Sequence, residues 1–95
     1  MVEILARATA DQKYDDFAMD KQDNAFVAVH PNNVVKVLKN GTIHDVTNGI
    51  DVLTQPASVA LGNGRHGRSL YVVTEGNLTA GGDVNGQILE VNIEN

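Results

Sequence analysis

Asp15, Asp16 and His30 are the residues of this chain whose types best suit chemistry. Adjacent carboxylates can ligate a cation or act as a general base. A histidine such as His30, next to Pro31, suits proton transfer near neutral pH. Each also has a plainer reading. Asp16 can cap a turn by accepting from nearby backbone N–H groups, and His30 can be an ordinary turn-surface residue. Glu75, Asn77 and Asn85 lie in a long loop, a kind of segment that often carries function. Gly62-Asn63-Gly64-Arg65-His66-Gly67 spells GxGxxG after an apolar run. The dinucleotide fingerprint needs a helix next. Arg68-Ser69-Leu70-Tyr71-Val72 reads as a strand instead, so the segment is a glycine-rich hairpin. No Ser/His/Asp triad or HExxH is arguable, the three histidines have no ligand spacing, and there are no cysteines.

The elements that must position these residues are short strands. Residues 16–19, 25–29 and 34–38 are apolar or alternating, and Lys21-Gln22-Asp23-Asn24 and His30-Pro31-Asn32-Asn33 separate them. Such punctuation predicts a meander. Asn40-Gly41 predicts a type I′ hairpin turn into a more polar strand at 42–46. Residues 2–6 alternate weakly and predict one further strand. A second unit follows at 57–61, 69–74 and 87–93. Val59 and Leu61 stand where the first unit has Phe17 and Met19. Phe17 to Val59 is 42 residues and Val27 to Val72 is 45, the growth coming from longer loops at 62–68 and 76–86. Four strands in ~40–50 residues is the length of a propeller blade.

The expected fold is therefore all-β. With blade strands lettered a to d from the inside out, the order is d-abcd-abc. One unit of two blades is expected over residues 1–95, with blades at 14–47 and 56–94 and an N-terminal strand at 2–7 that completes a blade of another copy. A blade lacking its outer strand leaves an edge that invites pairing. Two blades cannot close a ring, whereas three copies make six, and head-to-tail contacts resolve as closed rings. The expected assembly is a homotrimer. In a meander, alternate connections share an edge. Asp15, His30, residues 55–58 and the loop at 75–85 then meet at one end of the sheets, beside the channel. Of Asp15 and Asp16, one side chain should face the channel and the other the blade. Three Asp15 carboxylates brought together around an axis must raise their pKa values or take up a cation.

The bulk numbers agree with one small domain. The chain has 95 residues, is 42% hydrophobic and only 4% aromatic, and lacks tryptophan, so valine, isoleucine, leucine and alanine must build the core. A chain this short is marginal alone. With a net charge of −5 and seven scattered Lys and Arg, it carries no footprint for nucleic acid or an anionic membrane. No apolar run nears the ~20 residues that span a bilayer. No signal peptide is legible in MVEILARATA, so the default expectation is a cytoplasmic chain.

DDFAMDKQDNAFVAVHPNNVVKVLKNGTI, then QPASVALGNGRHGRSLYVVTEG, then GDVNGQILEV, resemble a known family. They are similar to the last third of the senescence-marker-protein, gluconolactonase and luciferin-regenerating-enzyme-like propellers, fungal branch. The resemblance implies a six-bladed propeller with a divalent metal at its central mouth, calcium, zinc or manganese. It also implies hydrolysis of sugar lactones or related esters, although other fungal relatives are metal-independent biosynthetic catalysts. The family's metal-binding aspartate falls on Asp15. Its Glu and Asn ligands fall on blades outside this sequence, and Ala57 occupies the equivalent position of the second unit. The first expectation is therefore a self-assembling scaffold or binding module without the complete metal site. The second is a lactonase-like hydrolase acting on a lactone or sugar-like ligand, with Asp15 as metal ligand and Asp16 or His30 as catalytic residues. The third is a metal-independent fungal catalyst.

Overall fold

The computed structural model describes residues 1–48, 53–64, 67–76 and 85–93. Among these there is no helix. The strands are β1 (Lys13–Met19), β2 (Ala25–His30), β3 (Asn33–Val37), β4 (Ile43–Asp45), β5 (Pro56–Gly64), β6 (Gly67–Thr74) and β7 (Gln87–Asn92). They form two antiparallel meanders, a four-stranded sheet β1-β2-β3-β4 and a three-stranded sheet β5-β6-β7.

Alternation along a strand sends successive side chains to opposite faces. In β2, Phe26 and Ala28 point toward the second sheet, while Ala25, Val27 and Val29 point away. The core between the sheets joins Phe26, Ala28 and Val34 to Leu53, Val59, Leu70 and Val72. Each Phe, Val or Leu side chain of this layer contributes about 1.5–3 kcal/mol on burial, so the layer holds the sheets together. The outer face of the first sheet carries a second cluster, Ala25, Val27, Val29, Val35 and Val37, against which Ala6 and Tyr14 pack.

The two sheets share a register. Phe17 pairs with Val27 and Val35 with Val27 in the first; Val59 pairs with Val72 and Leu89 with Val72 in the second. The opening strand of each also carries a bulge, between Tyr14 and Phe17 in β1 and between Pro56 and Ser58 in β5. A bulge adds one residue to one strand and re-aims its side chains. Here the extra residues fall at Asp15-Asp16 and at Ala57.

Several expectations change. The predicted strand at 2–6 does not form in the single chain, where residues 1–9 have no regular structure and find no strand partner. The Asn40-Gly41 turn is not type I′, because only Gly41 has positive φ, +93°. Leu38 to Thr42 is instead a three-residue loop, with Gly41 N donating to Leu38 O at 2.8 Å. Asp20 to Asn24 makes the same loop, with Asp23 at φ +67° in the glycine's role. The glycine-rich hairpin is tighter than the expected loop at 62–68. Pairing continues to Gly64↔Gly67, and positions 65 and 66 lie outside the described residues. The Tyr71 ring lies over Gly62, 3.1 Å from where a Cβ would stand.

Candidate functional site

The bulge of β1 and the end of β2 build the candidate site. Lys13 pairs with His30 across the strands, and the bulge then delivers Asp15 to the histidine. His30 Nε2 lies 3.3 Å from Asp15 Oδ2. That distance suits charge pairing, but the geometry is not a hydrogen bond, and the buried Nε2 atom has no hydrogen-bond partner. The histidine side chain is 23% exposed and the aspartate 45%. Tyr14 precedes this pair on the outer face, and burial raises its phenol pKa.

Asp16 turns elsewhere. Its Oδ1 accepts from Phe17 N at 2.9 Å and its Oδ2 from Ser58 Oγ at 3.2 Å. Asp16 thus caps the bulge and ties β1 to β5. Ser58 stands 42 residues after Asp16, the repeat offset itself, so register-equivalent side chains of the two opening strands bond to each other. The offset contained that signal, yet the residues alone did not single out Ser58.

A shallow cleft of about 380 Å³ opens beside His30, lined by Asp11, Gln12, Lys13, Pro31 and Gln55. Gln55 fixes its far wall: its N–H donates to Pro31 O at 2.7 Å, and its carbonyl accepts from Glu75 N at 2.9 Å. The β1 start, the β2–β3 turn and the approach to β5 therefore meet at one edge, as the meander predicts. Glu75 belongs to that edge, whereas Asn77 lies outside the described residues. A larger groove of about 450 Å³ lies at the other edge, between Lys21-Gln22 and Gly62, Asn63 and Arg68. It contains neither Asp15 nor His30.

Asp20, at that second edge, is the most buried carboxylate among the described residues. It is 9% exposed, and it accepts from Gln22 N, Asn24 N and Asn24 Nδ2. Burial alone would raise its pKa. The bonds from Asn24 and Gln22, with the field of Lys36, outweigh it and hold the carboxyl below its usual range. This is a structural role, which the turn sequence did not reveal.

The donors around Asp15 are too few for a resident divalent metal. Asp15 meets one further donor, His30, and among the described residues no three His, Cys, Asp or Glu side chains converge. Tetrahedral and oxygen-rich sites need more protein donors than two. The described residues of one chain therefore do not fit the ion. No family model, curated protein or solved structure matches this chain.

Proposed function

We propose that the chain is a self-assembling scaffold or binding module, in which each copy supplies two blades and three copies close a six-bladed ring. One observation carries this reading. The front face of the second sheet matches the front face of the first by register, yet among the described residues no sheet lies against it. In the first sheet Phe26, Ala28 and Val34 are buried against the second sheet, at 2%, 0% and 0% exposure. Their register equivalents are Tyr71, Val73 and Ile88, of which Val73 is 43% and Ile88 74% exposed. The back of the first sheet is the equivalent of the surface that would cover them, and its Phe17 and Met19 are half exposed. A face of one copy that fits the opposite face of the next is a head-to-tail interface, and a closed ring satisfies every copy of it. The edge of β7, which lacks a fourth strand, adds a second unsatisfied surface. Sedimentation across a concentration series tests the reading. Association into a species heavier than one chain is expected, and a single-chain mass throughout contradicts it.

A second reading rests on the Asp15–His30 pair. A lactone or ester held in the adjoining cleft would be hydrolysed with His30 as general base. The imidazole takes a proton from water as the oxygen attacks the carbonyl, then returns it to the departing alkoxide, and Asp15 stabilises the imidazolium between those steps. In a ring, three such pairs would surround the axis and supply together the donors for a divalent cation that one chain lacks. Lactone hydrolysis, assayed with and without calcium, zinc or manganese, tests this reading. Turnover that falls in His30→Ala and Asp15→Ala supports it, and no turnover above background under any of these conditions sinks it.

A further inference from the structure

Residues 1–9 present a mismatch between what they cover and what they expose. Ala25, Val27, Val29, Val35 and Val37 are at most 8% exposed, with Ala6 of this segment and Tyr14 of β1 packed on that cluster. The Leu5 carbonyl crosses the β3–β4 hairpin so closely that a Cβ on Gly41 would stand 2.9 Å from it. The segment's own apolar residues are left in water: Val2 is 96%, Ile4 64% and Leu5 55% exposed. No residue of the segment joins a strand. It thus covers part of a sheet face through Ala6 and satisfies itself poorly.

We propose that residues 1–8 are an exchangeable strap, which in the isolated chain covers the back of its own first sheet and on assembly moves to the open β7 edge of a second copy. The inference rests on the ring reading above and adds its control. An extended segment of this length spans at most about 3.3–3.6 Å per residue, so it cannot occupy both addresses. In the first it blocks the back face. In the second its weak alternation gives β7 a fourth strand and satisfies ladder groups that the strap leaves bare. Register shows what the departure uncovers. Phe17 pairs with Val27 and Met19 with Ala25, so the half-exposed residues and the strap-covered cluster belong to one face. That face is the one the second copy's Val73 and Ile88 require. One movement uncovers that face and completes the β7 edge, so the strap holds the isolated chain back from assembly.

A reversible tether tests the proposal. The sequence has no cysteine, so Leu5→Cys with Asn40→Cys can be joined by a short cleavable cross-linker that holds the strap at the β3–β4 hairpin. The tethered chain should remain at single-chain mass, at concentrations where the untethered double variant assembles, and cleavage should restore assembly. Equal assembly by the tethered chain overturns the strap and leaves the ring standing. If the untethered chain never assembles, the ring reading fails and takes the strap with it. Ile4→Pro and Leu5→Pro test the destination, because successive N–H groups of a strand face opposite sides and proline removes one. One of the two should weaken assembly at least tenfold, with single-chain unfolding unchanged. If neither does, the β7 edge is not where the strap goes.

Discussion

Val34 and Ile88 hold the same position in their respective sheets, one residue before the partner of Val27 and of Val72. One is completely buried and the other 74% exposed. The same contrast separates Ala28 from Val73. Register and opening bulge agree between the sheets, although β3 is flanked by β4 while β7 is an edge strand. The neighbour also differs: the first sheet has the second against its front, and among the described residues no sheet lies against the front of the second. An apolar side chain left in water at a position where its twin forms core marks a missing partner more firmly than exposure alone, since isolated exposed apolar residues are ordinary.

Charging each twin is the sharpest way to break the comparison. Val34→Asp buries an unpaired carboxylate between the sheets and should leave the chain unfolded, a loss above about 4 kcal/mol. Circular dichroism and denaturant titration read it. Leu70→Ala comes next, at about 3 kcal/mol. Leu70 lies in the layer both sheets share, so one cooperative transition should shift as a whole. Two separated transitions would mean that the sheets are independent bodies.

The hairpin edges give a smaller difference. Asp20 anchors the β1–β2 loop, and its counterpart one repeat later is Gly62, which has no side chain to do so. Asp20→Asn should cost about 1–2 kcal/mol at neutral pH, since charge-assisted bonds are lost. Because the folded pKa is lowered, the unfolded chain binds more protons through the acid range. Asp20's contribution is therefore complete above the unfolded carboxylate pKa, near 3.9, and disappears as pH falls through the lower folded value. Stability of Asp20→Asn should lack that component of the acid decline. Ile88→Asp has the smallest expected effect on the fold, within about 0.5 kcal/mol, while abolishing association. An Ile88→Asp chain as unstable as Val34→Asp would show that the two positions are not distinguished by their cover.

Much of this was legible in the residues. Valine-rich runs between Asp, Asn, Gly and Pro located β2, β3, β6 and β7, and the 42-residue offset gave the register that equates Phe17 with Val59. Meander topology was enough to bring Asp15 and His30 to one edge. The failures have local causes. Glycines at 62, 64 and 67 have low strand propensity, so they masked a ladder that tertiary pairing extends through them. Asp23 adopts the positive φ that glycine would supply, hiding the likeness between two hairpin loops. The β1 bulge separates the roles of Asp15 and Asp16, and nothing in two adjacent aspartates says which will meet His30 and which Ser58. The alternation of residues 2–6 predicts a strand, but alternation specifies a face and not a partner, and a single chain offers none.

Native mass spectrometry of the unmodified chain tests the central claim most directly, because it counts copies. The account predicts a dominant species of three chains, each of 10.2 kDa. A dominant single chain, or a population spread over many sizes without a closed trimer, would contradict it.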